Sequence, residues 1–589
     1  MARTLNPSAR VVQWGVVLLP VVMLLVLGWQ RRWMSDDGFI HLRVVDQLLA
    51  GNGPVFNPGE RVEASTSPLW VGLLAGVAVV PGLALPWKAV LLGIALSAAG
   101  LLAAQRAGML LATRGRSSRG VVVPVGAFAV AALPPFWDFA SSGLETGLVF
   151  AWIGGATWWS TYRCTSERPP GRRAEVLGSG LVGLGWLIRP DLVVFTLAFA
   201  TLVVASVWRD SARRRRLGVV TAMVALPVAY QVFRMGYYAM VVPNTALAKE
   251  AGRPQWAQGW AYLRDLVAPY DLWLPGLLLL GVLALVVHGD VRRGDRRAVA
   301  ARLAPAAAAV AHGLYVQRAG GDFMHGRLLL PSFFGLFASL GVWVSADDLR
   351  AAFTARRYVS RALLTAGATA VVLLWVMVCT VGLRRGQFAT DLLDKTETAP
   401  RGALIIDERL FYAHLWHMPH PVRPDGRFGA DHPRAGLGRG EAVLTPPGDP
   451  SHLTLTLRPG FPSRTAHAGI AVGVPSYAWG TDVYVLDLMS LAQPVGSHIE
   501  ETVGRRPGHQ KPVPLPWIVA DVTEASAAEP RDVAAARRAL ECGDLGRYLD
   551  DIREPLTPKR FVTNLLDSVG NTLFRVERDA TKAAAQLCD

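Results

Sequence analysis

Two adjacent carboxylates, Asp36 and Asp37, follow directly on the first long apolar run of the chain. They open a stretch, residues 33–67, that also carries Arg43, Asn52, Asn57, Glu60, Arg61 and Glu63. Ionisable groups are costly to keep against a bilayer, so a cluster of them there marks a functional site. A carboxylate at an apolar boundary has a raised proton affinity, which suits a general base. Neighbouring residues on a helix or strand point in different directions, so at most one of the pair should face a reacting centre. The competing reading is a helix cap, with Ser35 and one aspartate accepting backbone N–H bonds. A cap accounts for one of these residues and not for the polar stretch behind them.

Further candidates stand at or just beyond the ends of other apolar runs. Glu145 lies in SSGLETG, where a first-turn carboxylate also complements the helix dipole. Arg189 and Asp191 flank Pro190, and the arginine needs an anionic partner, either Asp191 or a lipid phosphate. Lys249 lies in VPNTALAKE, and Arg318, Asp322, His325 and Arg327 lie in QRAGGDFMHGR. Cations converging from these segments would suit a phosphate or diphosphate leaving group. Arg327 could instead snorkel to the membrane interface. His414, His417 and His420 recur at threes on a Pro-interrupted stretch without a fourth ligand, so no zinc site is expected.

The elements that must position these groups are membrane helices. The chain has 589 residues, 51% hydrophobic and only 18% charged, and the apolar residues come in long blocks. Candidate spans are 11–29, 87–112, 121–137, 144–162, 175–188, 191–208, 217–240, 271–288, 298–317, 328–346 and 362–382. The first reads as an uncleaved span, because RRWMSDD makes a poor cleavage context. Residues 68–85, broken by Pro81 and Pro86, read as a re-entrant or surface helix, which leaves about eleven crossings. The net charge of +15 sits in arginine clusters between spans: 114–119, 163–173, 209–216, 291–297 and 350–361. That is the pattern of cytoplasmic loops and excludes nucleic acid as the expected partner. It places the candidate residues and the C terminus outside.

Residues 1–382 therefore read as a transmembrane catalytic domain and 383–589 as a C-terminal domain outside the cytoplasm. The latter carries strand-like runs at 403–406, 453–457, 468–474 and 482–488, then helical stretches at 530–552 and 560–585. Its aromatic residues Tyr412, Trp416, Tyr477, Trp479 and Trp517 could line a sugar-binding surface or simply form core. Cys542 and Cys588 could pair in an oxidising compartment or remain free thiols.

The motifs SDDGFIHLR, NPGERVEASTSPLW, SSGLETG, the RPD at 189–191, PNTALAKE and GGDFMHGR together resemble the GT-C glycosyltransferases, which use polyprenyl-phosphate sugars. Within them, the chain is most similar to the terminal β-(1→2)-arabinofuranosyltransferases of mycobacterial-type cell walls. DVYVLDLMSLAQP and RRPGHQKP fit the same pattern. The resemblance implies a polytopic α-helical GT-C fold in the plasma (inner) membrane with a mixed α/β or β-rich periplasmic domain. It implies decaprenyl-phosphate-arabinose as donor and the arabinan of arabinogalactan and lipoarabinomannan as acceptor. Asp36 and Asp37 match the catalytic pair, and Glu145, Arg189, Lys249, Asp322, His325 and Arg327 match polar positions around the cavity. Donor and product would both be β-linked, so net retention requires either a glycosyl-enzyme on a carboxylate or deprotonation of the acceptor by the leaving phosphate. A monophosphate donor carries less charge than a diphosphate, so no obligatory metal is expected, although a carboxylate-rich site could bind a divalent cation. A transferase for another polyprenyl-phosphate sugar, such as mannose, and a lipid-linked-sugar transporter remain the alternatives. A transporter should show internal repeats and mid-span charges, whereas here the charges gather at one face.

Overall fold

Long apolar windows become helices because a bilayer leaves backbone groups no partner but each other. The computed structural model describes residues 7–115, 120–167, 170–210, 212–249, 254–345, 350, 361–382, 405–423, 440–444, 453–469, 471–500 and 511–589. Among them, seven helices are long and apolar enough to cross a membrane: Arg10–Gln30, Leu85–Ala112, Pro190–Trp208, Arg213–Tyr238, Trp273–Arg292, Arg296–Arg318 and Leu363–Val381. The chain is a multi-pass membrane protein.

Four expected spans take other forms. Residues 121–137 divide into a strand, Val121–Val123, and two short helices, Val125–Ala132 and Pro134–Ser141, separated where Leu133 turns extended before Pro134. Residues 328–346 begin as a 3-10 turn and the helix Leu330–Phe337, then end in the strand Val342–Val344. These two strands pair antiparallel, and the Gln13 amide bonds both backbone groups of Val122. Residues 175–188 break between Arg172–Gly183 and Gly185–Ile188. Thr146–Thr165 is a helix of 20 residues but carries many polar and small side chains. Pro68–Ala78 is an 11-residue helix, too short to span.

The chain folds as two units. The first comprises residues 1–33, 89–227 and 254–420 and is helical, with aromatic packing of Phe136, Phe150 and Phe334 at its centre. The second comprises residues 34–88, 228–253 and 421–589. It contains a four-stranded sheet in the order Leu453–Thr456, Glu441–Leu444, Thr465–Gly469, Val483–Asp487, the first pair antiparallel and the others parallel. The expected strand at 468–474 differs: the preceding strand stops at Gly469, and Gly473 opens a helix to Trp479. Helices Arg531–Leu540, Gly543–Arg553, Pro558–Leu573 and Ala580–Cys588 complete the unit. Cys542 and Cys588 form a disulfide with Cα atoms 5.2 Å apart. Trp517 and Trp479 are buried in this unit, and Tyr412 and Trp416 in the first, so these four serve as core. The expected strand at 403–406 lies partly outside the described residues; Ile406 makes a single bridge to Met324. Residues 505–510 of RRPGHQKP also lie outside them.

Candidate active site

Asp36 and Asp37 occupy the first turn of the helix Asp36–Leu49, in the second unit. Ser35 is the N-cap and accepts from the Gly38 N–H. The cap reading thus holds for Ser35. Asp36 has a different task. Its two oxygens accept from the Gly473 N–H at 2.9 Å and the Val474 N–H at 2.7 Å, at the start of the helix that follows the sheet. Burial raises its pKa, those two bonds oppose the rise, and the Asp37 charge adds to it, so the group is pushed up to about 6. Asp37 is half-buried. The pair is therefore unequal in burial and setting: Asp36 is buried with both oxygens on backbone amides, and Asp37, the next residue of the same turn, is half-buried. His41 follows Asp37 by one helical turn and bonds Ser65 through Nδ1 at 2.9 Å.

The close fit at Asp36 depends on a glycine. A Cβ at Gly473 would fall on the Asp36 carbonyl oxygen. Only a residue without that atom lets the two helix starts approach so nearly.

Most of the polar stretch behind the pair anchors it to the rest of the unit. The fully buried Arg43 guanidinium donates to the carbonyls of Phe56, Ser476, Gly480 and Val483 at 2.8–2.9 Å. Burial lowers its pKa to about 10. Asn57 exchanges two bonds with the backbone of Val485, both at 2.9 Å, as a strand residue would. Glu63 receives Arg234 Nε at 2.6 Å and the Tyr230 hydroxyl at 2.7 Å. Arg61 donates to the Asp551 carbonyl at 2.6 Å. Arg43 holds the Asp36–Leu49 helix and Asn57, Arg61 and Glu63 anchor the stretch that follows it, so the density of charge in 33–67 has a largely positional cause.

Glu145, Arg189, Asp322 and Arg327 come together in the first unit. Glu145 Oε1 lies 3.5 Å from both Arg189 and Arg327. Arg189 is forked onto Asp191 at 3.0 and 2.8 Å, and Asp191 also meets His312 at 2.8 Å. Arg327 reaches Asp322 at 3.4 Å. Asp191 is thus the partner of Arg189, and the two arginines are met by three carboxylates, so their charge is fully answered within the cluster. His325 belongs to a neighbouring set: Nδ1 meets Asp265 at 2.6 Å and Nε2 meets the Tyr270 hydroxyl at 3.0 Å. Burial works against its imidazolium, but the Asp265 bond and charge, with Asp407 and Asp138, outweigh burial and raise the pKa. Lys249 belongs to the second unit, half-buried at the end of the helix Asn244–Ala248, and its ammonium meets no carboxylate among the described residues. Among the described residues no group of three His, Cys, Asp or Glu is arranged to hold a metal ion.

Several residues that shape these sites carried no signal in isolation. Asn244 of PNTALAKE donates to the carbonyls of Ser490 and Leu491, both at 3.0 Å, tying that motif to DVYVLDLMSLAQP. Asp487 of the latter accepts from Met489 N–H at 2.7 Å and Ala492 N–H at 2.6 Å. Arg31 forks onto Asp138 at 2.6 and 2.7 Å in the first unit. The polar-in-apolar placement of Arg234 and Asp138 was the available hint.

A family model, the AftB family C-terminal domain, matches residues 463–585. The terminal β-(1→2)-arabinofuranosyltransferase of Mycobacterium tuberculosis is 34% identical to this chain, the alignment covering 97% of this chain and 96% of the relative. The protein of the same name from Corynebacterium glutamicum is 32% identical, with 91% and 82% covered. Among solved structures, ArnT from Cupriavidus metallidurans bound to undecaprenyl phosphate superposes with a TM-score of 0.45 at 15% identity, over 82% of this chain and 87% of that one. The apo oligosaccharyltransferase of Archaeoglobus fulgidus gives 0.42 at 10% identity, over 82% and 65%.

Proposed function

The chain belongs to the terminal β-(1→2)-arabinofuranosyltransferase family, and on that premise we propose that it moves arabinofuranose from decaprenyl-phosphate-arabinose to the ends of arabinan in arabinogalactan and lipoarabinomannan. The acceptor 2-hydroxyl oxygen bonds to the anomeric carbon, the bond from that carbon to the phosphate oxygen breaks, and the hydroxyl proton passes to a carboxylate or to the departing phosphate. The observation that carries the site assignment is the unequal pair. Asp36 is held by two backbone amides, and Asp37, half-buried in the same turn, is the carboxylate we assign to the reaction. In a two-step route it is the nucleophile that displaces the phosphate and is then displaced by the acceptor hydroxyl; in a same-face route the leaving phosphate takes the hydroxyl proton and Asp37 stabilises the positive charge developing at the anomeric carbon. Asp36 is the positioning residue that fixes the helix start. Lys249 shares the unit and suits the donor phosphate as a point charge. Glu145, Arg189, Asp322 and Arg327, with His325 beside them, are the polar cluster of the first unit and are kept as candidates for substrate binding.

The active site and the C-terminal domain lie outside the cytoplasm in this reading. The arginine-rich connectors support that side by the positive-inside rule, and the Cys542–Cys588 disulfide suits an oxidising compartment. No obligatory metal is invoked, because a monophosphate leaving group needs little charge neutralisation, so chelation should leave the rate unchanged. The test is transfer by purified protein to a synthetic arabinan acceptor with lipid-linked arabinose and lipid-linked mannose in competition. Linkage analysis should find terminal β-(1→2)-arabinofuranose; a mannosyl product would overturn the donor assignment.

A further inference from the structure

The helix Pro558–Leu573 is amphipathic with its polar face turned inward. Val562, Leu566, Val569 and Leu573 recur at four, three and four residues and are 56%, 72%, 52% and 70% exposed. That spacing is one continuous apolar stripe. On the opposite side Asn564, Ser568 and Asn571 are buried. A helix packed on a protein in water does the reverse, burying its apolar stripe.

The buried asparagines show what the inner face grips. Asn564 donates to the Gly236 carbonyl at 3.0 Å and Asn571 to the Ala239 carbonyl at 3.2 Å. The Thr572 hydroxyl accepts from the Val241 N–H at 2.9 Å. Phe561 lies against Gly236, where a Cβ would collide with its ring. All these partners sit at the end of the apolar helix Arg213–Tyr238, one of the seven long enough to span. The same end carries an aromatic cluster, Tyr230, Phe233, Tyr237 and Tyr238, of the kind found where spans leave the hydrocarbon. Val232 and Val228, about two and three turns in from that end, are 42% and 56% exposed, as a lipid-facing side is. The apolar stripe is therefore fixed at the depth where that span meets the headgroups, next to a surface that lipid already covers.

We propose that the helix Pro558–Leu573 is an interfacial membrane anchor, with Val562, Leu566, Val569 and Leu573 seated among the acyl chains and headgroups at the end of the Arg213–Tyr238 span. The partner is the bilayer itself. The C-terminal region thus rests on the membrane through this helix. An amphipathic helix lying in the interface plane with its apolar face toward the acyl chains is a recognised way for a chain to rest on a bilayer.

The test is spin labelling of the full chain in lipid nanodiscs. Cysteines are placed singly at Leu566→Cys and Leu573→Cys, with Val228→Cys as the lipid-facing reference and Ala525→Cys, exposed in the same unit, as the aqueous reference. The native thiols Cys164 and Cys379 are buried and the other two cysteines are bonded, so the unsubstituted chain supplies the blank. Relaxation by oxygen and by a water-soluble nickel chelate is then compared. At 566 and 573 the oxygen-to-chelate ratio should exceed that at 525 severalfold and approach that at 228. A ratio equal to that at 525 would place the stripe in water and overturn the proposal. Shielding from both relaxants would mean that protein, such as a second copy, covers the stripe, and would overturn it equally.

Discussion

Replacing Gly473 with alanine changes no ionisable group, yet it should disable the protein. The new methyl would fall on the Asp36 carbonyl oxygen, a backbone atom that no rotamer change can move. An ordinary carbon–oxygen approach is about 3.3 Å or more, so the two helix starts must part by roughly 1–2 Å. Hydrogen bonds of 2.9 and 2.7 Å from Gly473 and Val474 to the Asp36 carboxylate do not survive that displacement. Each is charge-assisted and contributes about 1.5–3 kcal/mol, so their combined loss is about 3–6 kcal/mol. A displacement near 1 Å at a reacting group lowers turnover by about a hundredfold. The assay pairs thermal melting in nanodiscs with transfer to a synthetic acceptor. Gly76→Ala, where the added methyl meets nothing within 4 Å, is the control and should be neutral or slightly stabilising. If Gly473→Ala melted with the parent and turned over at the parental rate, the close packing of these two helix starts would be refuted.

Three other perturbations follow from the same geometry. Asp191→Asn removes the forked partner of a buried arginine and should cost about 3–5 kcal/mol, read as a lowered denaturation midpoint; an unchanged midpoint would mean that Glu145 alone suffices for Arg189. The Cys542–Cys588 bond joins residues 46 apart, so Cys542→Ser with Cys588→Ser should lose about 2–4 kcal/mol, and equal stability with and without reductant would exclude that role. His325 has a raised folded pKa, so its stabilising contribution is complete below its ordinary value and is lost as pH rises through the folded one. As pH rises above the ordinary imidazole value of about 6.5, melting of the parent should therefore fall more steeply than melting of His325→Gln, and parallel profiles would contradict the Asp265 interaction.

The membrane helices were legible because hydrophobic length is a local property, and seven windows keep it without interruption. Residues 121–137 and 328–346 were not, because their ends pair as strands and that pairing joins positions far apart in the chain. The Asp-Asp pair was visible as a candidate, and so was the rule that one member should be engaged elsewhere. Which member was hidden, because the amides that hold Asp36 lie at Gly473 and Val474. Arg43 and Asn57 looked like chemistry for the same reason: their acceptors at Ser476, Gly480, Val483 and Val485 are distant in sequence. The outward apolar stripe of Pro558–Leu573 was invisible, since periodicity reveals that a helix has two faces but not which one the fold buries.

The central claim is that Asp37 acts on substrate and Asp36 positions it. It is tested most directly by measuring transfer from decaprenyl-phosphate-arabinose with Asp37→Asn and Asp36→Asn, alongside the melting of each. Asp37→Asn should melt with the parent and form no β-(1→2) product. Asp36→Asn exchanges one acceptor oxygen for a donor facing an amide N–H, so it should melt lower and lose activity together with stability. Parental turnover by Asp37→Asn, with the parental linkage in the product, would contradict the account.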